Sequence, residues 1–315
     1  MKRILTVVLL FALAIVLPGM AFSQTRTVAI FAPNIDFKDG EARNAYVSRI
    51  AKILSDQTGM RWEGKAFARA ADFEAARSNI DVAILDAEYF SSKGGSLRAV
   101  GMLSQNGATS KRMKVLTKRG GSDKLYQFRG KRLVLVASTP LARAFFTSAV
   151  LGNEVKVDDF FSSIEEARDV RSALNAVELG KADLTIAFEG YDSGFTTIFT
   201  SPPVALPVVA INVARVTGND AEIIRNAIQG IDAEASSIVN GISAFNATEA
   251  TAFRRIANER RAVAMDYQLM EPESIKIPVS SVILKERSEG IVFNPFQVQY
   301  IPTLVEFDKK LNLRL

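Results

Sequence analysis

Short apolar runs alternate with amphipathic stretches in the first part of the chain. Residues 27–32 and 81–85 each hold an apolar run after one polar residue, typical of buried strands, and residues 61–67 form a third candidate strand. Between them, residues 42–58 place apolar side chains on one side at helical spacing, with Gly59 as the expected stop, and residues 70–78 form a shorter helix. The resulting βαβαβ order predicts a parallel sheet with helices on both faces.

The stretch 131–152 contains the clearest local signal. An apolar run at 133–137 ends at Ser138, Thr139 and Pro140, and apolar residues then recur at helical spacing as far as Gly152. A hydroxyl side chain before proline predicts a helix start, because the hydroxyl caps free backbone N–H groups and proline has none to lose. Such a start at the carboxyl edge of a sheet is where α/β proteins bind anions. The alternative is a βα turn with an ordinary cap.

Two strand ends repeat one pattern of polar residues. The run 81–85 is followed by Asp86 and Tyr89, and the run 183–188 is followed by Glu189, Tyr191 and Asp192. Both sets lie where parallel strands end, so they are candidate ligand-binding residues. The alternative is that strand ends simply favour polar side chains.

The rest of the chain predicts further strands and helices with less regular spacing. Strands are expected at 97–103, at 113–117, near Val155, at 195–200, at 208–214 and, as an edge strand, at 275–283. Helices are expected at 163–179, from a capping box formed by Ser162 and Glu165, and at 220–230, 233–240, 247–261 (capped by Asn246) and 304–311.

Two crossings of the chain define a two-lobed α/β clamp. We predict that each lobe is a doubly wound, mostly parallel sheet and that two crossing strands form the hinge. The first lobe comprises residues 24–106 and 204–265, and the second comprises residues 107–203. Residues 266–315 form a C-terminal extension that the pattern assigns to neither lobe.

The first 23 residues have the features of a secretory signal peptide. Lys2 and Arg3 precede an apolar run at 4–17, and Ala21-Phe22-Ser23 is a small-x-small cleavage site. The run is short for a membrane span, so we expect a periplasmic mature chain that starts at Gln24 and does not span the membrane. An uncleaved anchor is the alternative.

Composition narrows the possible chemistry. The chain contains no cysteine and no histidine, which excludes disulfides, thiol catalysis and a lipid anchor on cysteine. It also removes the usual component of zinc sites and of catalytic triads, so we expect no catalytic residues, no metal and no cofactor. The net charge is +5, and we expect interspersed charges without a basic stripe, hence no nucleic-acid binding. A mildly positive net charge fits a small anionic ligand, and it fits an ordinary soluble surface equally well.

Five stretches in order resemble the type II periplasmic substrate-binding proteins, and most closely their phosphate, phosphite and phosphonate branch. The stretches are TVAIFAP, DVAILDAEYF, FRGKRLVLVAST, ALNAVELGKADLTIA and SPPVALPVVAINV. The resemblance covers roughly residues 27–261 and is one of pattern rather than of an exact motif. It implies two α/β lobes joined by two strands, which close on a small solute and pass it to an ABC permease.

The resemblance also implies site residues. The branch binds its anion with a turn that commonly reads Ser-Thr-Ser-Gly. Here that turn is Ser138-Thr139, and Pro140 and Leu141 replace the last two residues, so that two hydrogen-bond donors are lost. Arg143 could supply positive charge to an anion or form an ordinary ion pair. The whole predicted ligand-binding set is Asn34, Asp86, Tyr89, Ser138, Thr139, Arg143, Glu189, Tyr191 and Asp192.

Three functions are compatible with the sequence. The first is a periplasmic binding protein that captures a small anionic, phosphonate-like solute for an ABC transporter. The alternative is the same fold with a degenerate cleft, serving as a structural or signalling partner of another membrane-complex protein. The altered turn and the C-terminal segment 275–315 favour this alternative. The third is an enzyme, which the missing histidine and cysteine disfavour.

Overall fold

The computed structural model describes residues 25–136 and 139–258. The signal-peptide prediction for residues 1–23, Ser138, and the predicted C-terminal extension with its strand and helix lie outside the described residues. Within the described ranges, no helix has the length and hydropathy needed to cross a bilayer.

The described strands form two sheets. The first sheet has the order β11-β12-β4-β10-β3-β1-β2 and the second has the order β7-β6-β8-β5-β9. The strands of the first sheet are β1 (Arg26–Phe31), β2 (Trp62–Ala66), β3 (Val82–Leu85), β4 (Leu97–Ser104), β10 (Val208–Asn212), β11 (Asp232–Ser236) and β12 (Val239–Ala244). Those of the second are β5 (Ser110–Lys118), β6 (Arg132–Val136), β7 (Ser163–Ala167), β8 (Leu184–Phe188) and β9 (Phe195–Ala205).

Helices connect these strands. The described α-helices are α1 (Gly40–Thr58), α2 (Ala70–Ala76), α3 (Ala87–Lys93), α4 (Pro140–Phe145), α5 (Val157–Phe160), α6 (Val170–Glu178), α7 (Gly218–Ile228) and α8 (Ala247–Ala257). A π-helical turn, Phe146–Val150, continues α4, and short 3₁₀ turns lie at Arg77–Asn79 and Leu125–Phe128.

Local signals set both ends of the first long helix, and its stop at Gly59 is the one predicted. Asp39 caps α1 by accepting a hydrogen bond from the backbone N–H of Ala42 at 2.7 Å. Gly59 ends the helix with φ of 68°, a conformation that glycine adopts without steric cost. The buried side of α1 then packs on β1 and β2, whose strands supply the first lobe's core.

The parallel strands lie together at one end of each sheet, and the sheets are mixed rather than mostly parallel. β1 pairs in parallel with β2 and β3, and β6 pairs in parallel with β7 and β8. The other described pairs are antiparallel. The reason lies in the connections: parallel neighbours need a long crossover, whereas the two-residue link between β11 and β12 permits only an antiparallel hairpin.

Three predicted elements are wrong. The predicted helix 163–179 is a strand, β7, followed by the shorter helix α6. The hydroxyl of Ser162 bonds the carbonyl of Lys131 instead of capping, and Asp169 caps α6. The predicted helix 233–240 is the hairpin of β11 and β12, and the segment around Val155 precedes helix α5 instead of forming a strand. In the first two cases pairing with a neighbouring strand overrides local helix propensity.

The chain passes between the two sheets twice, as the predicted hinge requires. It leaves the first sheet after β4, and after β9 it returns through a two-residue link to β10. We use the names first lobe and second lobe for the parts that carry the first and second sheets, with the boundaries at 106 and 203 kept as predictions.

Candidate functional site

Thr139 joins the helix start of the second lobe to the first lobe. Its hydroxyl oxygen caps α4 by accepting a hydrogen bond from the N–H of Ala142 at 3.0 Å, with Pro140 in the first turn, as predicted. The same hydroxyl donates a hydrogen bond to the carboxylate of Glu88 on α3. A carboxylate of the first lobe therefore lies at the anion-favouring end of α4.

Asp86 lies at the end of β3 and is almost completely buried, with 4 % of its surface exposed. One carboxylate oxygen, Oδ2, accepts hydrogen bonds from the backbone N–H and the side-chain amide of Asn34, at 3.0 and 2.8 Å. The other oxygen, Oδ1, is buried and has no hydrogen-bond partner among the described residues. Two of the predicted site residues are thus in direct contact.

Burial raises the pKa of both carboxyl groups. It raises the pKa of Asp86 to about 7, aided by the nearby charge of Glu88 and opposed by the hydrogen bonds from Asn34 and the charge of Arg43. Burial also raises the pKa of Glu88, while hydrogen bonds from Thr139 and Ser92 work in the opposite direction. Near neutral pH Asp86 can therefore take up a proton in response to a change in local charge.

This burial predicts that stability falls as the pH rises. The folded-state pKa of Asp86 lies above the usual value. The contribution of Asp86 to the free energy of unfolding is therefore fully present below the unfolded-state pKa and is lost as the pH rises through about 7. Between about pH 5 and about pH 8, Asp86 should lower the free energy of unfolding by about 2 kcal/mol. Asp86→Asn should remove most of this decline in urea unfolding experiments.

The control for this experiment is Asp183→Asn. Hydrogen bonds and charge from Arg132 hold the pKa of Asp183 below its usual range despite partial burial. The contribution of Asp183 to the free energy of unfolding therefore changes only at lower pH. The decline in that free energy between about pH 5 and about pH 8 should persist in Asp183→Asn. An equal decline in wild type and Asp86→Asn would show that Asp86 ionises normally in the folded protein.

Tyr191 forms a second bridge between the lobes. Its phenol oxygen accepts a hydrogen bond from the backbone N–H of Asp36 at 3.0 Å and lies 3.1 Å from the hydroxyl of Ser236 on β11. Burial raises the pKa of Tyr191 to about 12, so the phenol stays protonated and is available as a donor to Ser236. The preceding Gly190 has φ of +102°, and a Cβ there would lie 2.6 Å from Cγ2 of Ile238.

Helix α6 of the second lobe contacts the loop that follows β1 in the first lobe. Arg171 forms a two-pronged ion pair with Asp36, with N–O distances of 2.9 and 2.8 Å. The backbone N–H of Val170 donates to the carbonyl of Pro33 at 2.9 Å. These contacts hold the loop after β1 against the second lobe.

The other predicted residues do not join this contact region. Tyr89 packs edge-on against Phe31, 4.9 Å between ring centroids, and donates a hydrogen bond to Glu74 within the first lobe. In the second lobe, Arg143 pairs with Asp158.

Glu189 and Asp192 also bond within their own lobe. Glu189 accepts from the N–H of Arg112 at 3.3 Å, and Asp192 pairs with Lys114 at 2.7 Å. Although burial opposes it, the hydrogen bonds from Lys114 and from the N–H of Gly190 hold the pKa of Asp192 below its usual range.

Sequence reasoning missed several residues that connect the lobes, among them Glu88, Asp36, Arg171 and Ser236. Glu88 had a signal, because it stands two residues after Asp86 at the same strand end. The pairing of Asp36 with Arg171 had none, since the two residues are separated by 135 positions. The carboxylates between the lobes therefore differ from those predicted, with Glu88 and Asp36 there in place of Glu189 and Asp192.

Two open depressions occur elsewhere on the described surface. One of about 420 Å³ is lined by Arg77, Asn212 and Arg215, among others, and one of about 600 Å³ by Thr109, Asn246 and Glu249, among others. None of the nine predicted site residues lines either of them. No group of His, Asp and Glu side chains among the described residues is arranged to bind a metal ion.

No protein-family model and no curated protein matches this sequence. Solved structures do match its fold. XAC2383 from Xanthomonas citri bound to ATP has a TM-score of 0.57 at 11 % identity, over 75 % of this chain and 96 % of that one.

Two further matching structures are of proteins connected with phosphonate. A binding protein component of an ABC phosphonate transporter from Pseudomonas aeruginosa has a TM-score of 0.56 at 13 % identity, over 74 % and 85 % of the two chains. PhnD1 from Prochlorococcus marinus in complex with methylphosphonate has a TM-score of 0.58 at 9 % identity, over 74 % and 97 %. Likeness at such low identity shows the fold alone.

Proposed function

Because the chain has the fold of the type II periplasmic binding proteins, as its sequence predicted, we propose that it is a periplasmic solute-binding protein. Its ligand is a small anion of the phosphate or phosphonate type, bound between the lobes, and an ABC permease receives that ligand. The protein acts by binding and release and is not an enzyme. The signal-peptide pattern of residues 1–23 supports the periplasmic location.

One observation carries this proposal: the start of α4 faces a buried carboxylate of the opposite lobe. Helix starts favour negative charge because unpaired N–H groups and the helix dipole point there. In this protein Glu88 supplies that charge and bonds Thr139 across the lobes. The helix start therefore accepts an anionic group in the described geometry.

A solute anion would take the place of the Glu88 carboxylate. The contact between Glu88 and Thr139 is a single hydrogen bond between side chains. A small rotation of the lobes about the two crossing strands can therefore break it and let the anion bond to Thr139 instead. Asp86, whose pKa is raised to about 7, can take up a proton as a second negative charge arrives. The orphaned Oδ1 of Asp86 is then a donor or acceptor for a protonated ligand oxygen.

A thermal-shift screen tests this function. It includes phosphate, phosphite, methylphosphonate, a sulfonate, a carboxylate and an amino acid. A ligand at one hundred times its dissociation constant should stabilise the protein by about 2.7 kcal/mol. We expect one of the phosphorus anions to give this shift and Thr139→Ala to abolish it.

The matched control is Asn246→Ala. Asn246 caps α8 through hydrogen bonds to the N–H groups of Thr248 and Glu249, so both variants lose a helix cap but only Thr139→Ala loses the contact with Glu88. The control should unfold more easily and still respond to the anion. An anion shift that survives in Thr139→Ala would place the ligand elsewhere.

A second function is favoured by a different observation. The protein's own side chains bridge the lobes at several places, among them Thr139 with Glu88, Tyr191 with Ser236, and Arg171 with Asp36. Lobes joined in this way form a rigid body suited to a structural or signalling partner of a membrane complex. No thermal shift with any member of the screen, in wild type and in Glu88→Gln, would favour this function.

A further inference from the structure

Positive charge is concentrated in one short segment of the second lobe. Between residues 107 and 136 the only acidic residue is Asp123. The basic residues of the same segment are Lys111, Arg112, Lys114, Lys118, Arg119, Lys124, Arg129, Lys131 and Arg132. The expectation that charges are interspersed is therefore wrong for this part of the chain.

The fold brings most of these residues to one edge of the second sheet. Lys118 ends β5 and Arg132 begins β6. The residue before β8, Asp183, contacts both strands: its carbonyl accepts from the hydroxyl of Thr117 at 2.9 Å, and its carboxylate accepts from the N–H of Arg132 at 2.9 Å. The segment 119–131 connects these strand ends, so its side chains lie at the same edge.

This edge is opposite the candidate ligand site. Thr139 follows the other end of β6, and Glu189 follows the other end of β8. A partner that covers the strand starts therefore leaves the helix start at Thr139 uncovered. We call Lys118, Arg119, Lys124, Arg129 and Lys131 the basic edge.

The charges of the basic edge are largely uncompensated. All five residues are exposed, and within the described part of the chain Lys118, Arg119, Arg129 and Lys131 form no ion pair. Lys124 lies 3.7 Å from the exposed Asp123, a pair of little energetic weight. The acid nearest the strand ends, Asp183, is already bonded to Arg132. A local field of positive sign thus faces the solvent.

We propose that the basic edge binds the second lobe to an anionic lipid surface. Lysine and arginine side chains within a Debye length of anionic headgroups are attracted without any need for a shaped pocket, and the attractions add. The residues stand on loops and strand ends around Gly120 and Gly121, and all five are exposed to solvent. The described residues of this edge include no helix of a length that could enter a nucleic-acid groove.

Vesicle sedimentation with the full chain tests this proposal. The vesicles are phosphatidylcholine alone and phosphatidylcholine with phosphatidylglycerol, each at low and high salt. Phosphatidylcholine alone measures binding that is independent of lipid charge, including any contributed by the apolar N-terminal run. We expect additional, salt-sensitive binding to the anionic vesicles, and we expect Lys118→Glu, Arg119→Glu and Lys131→Glu combined to weaken it roughly a hundredfold.

The control is the same charge change on the first lobe, with Lys52→Glu, Arg61→Glu and Lys93→Glu combined, all at exposed positions. It should retain nearly all of the anionic binding. Equal loss in both triple variants, or no additional binding to anionic vesicles at low salt, would overturn the proposal. Retardation of duplex DNA by wild type without vesicle binding would overturn it in favour of a nucleic-acid partner. A thermal melt of each variant, and the corresponding glutamine variants, separate charge effects from unfolding.

Discussion

Glu88→Gln is expected to tighten the binding of phosphate or methylphosphonate by about tenfold or more. Glu88 is buried and its carboxylate bonds Thr139 at the start of α4, where the solute anion is proposed to bind. Two negative charges a few ångströms apart repel by about 1–4 kcal/mol across the range of dielectric found near protein surfaces. Glutamine keeps the size of the side chain and removes this repulsion, so the anion no longer competes with a charge.

Titration calorimetry near neutral pH measures this effect, and Glu63→Gln is the control. Glu63 lies on β2, at the edge of the first sheet, and accepts a hydrogen bond from the hydroxyl of Thr27, so its loss removes a first-lobe carboxylate that bonds within its own lobe. The control should bind the anion as wild type does. Weaker binding in Glu88→Gln would show instead that the carboxylate itself accepts a hydrogen bond from the ligand, which would then carry an ammonium or hydroxyl group.

Gly190→Ala is expected to lower the free energy of unfolding by about 2–5 kcal/mol. About 1–2 kcal/mol comes from placing a Cβ on a residue with positive φ. A further 1–3 kcal/mol, roughly, comes from overpacking against Ile238, whose β-branched side chain has few alternative rotamers. The added Cβ would lie 2.6 Å from Cγ2 of Ile238 across the lobe contact. Urea unfolding followed by circular dichroism measures the difference.

Gly194→Ala separates the two causes. Gly194 also has positive φ, +90°, but a Cβ there meets no atom within 4 Å. Gly194→Ala should therefore lower the free energy of unfolding only by the cost of a Cβ at positive φ. Gly190→Ala should be less stable than Gly194→Ala by the cost of overpacking against Ile238. Equal destabilisation of the two variants would mean that the contact between Gly190 and Ile238 does not hold the lobes together in solution.

Helix ends and buried strands were predictable because their causes are local. Asp39, Gly59 and Thr139 each act on the backbone within a few residues, and such caps can be read directly from sequence. The elements that were wrong depend on distant partners. β7 becomes a strand because it pairs with β6, thirty-one positions away in the register of Arg132 with Ser163. No local pattern encodes that pairing.

The candidate site was predictable only as strand ends. Asp86 and Asn34 meet because β1 and β3 are parallel neighbours, a consequence of the βαβ order that the sequence does show. Which residues face across the lobes depends on how two separately folded sheets meet. Thr139 with Glu88 and Asp36 with Arg171 are therefore products of the hinge geometry, while Tyr89 and Arg143 bond within their own lobes.

The most direct test of the proposed site is a comparison of methylphosphonate binding by wild type, Thr139→Ala and Glu88→Gln in one calorimetric series. If the anion binds at the start of α4 in competition with Glu88, the dissociation constant should be smallest in Glu88→Gln and larger in wild type, and binding should be lost in Thr139→Ala. The same dissociation constant in all three proteins would contradict this account, because it would place the anion away from the contact between the lobes.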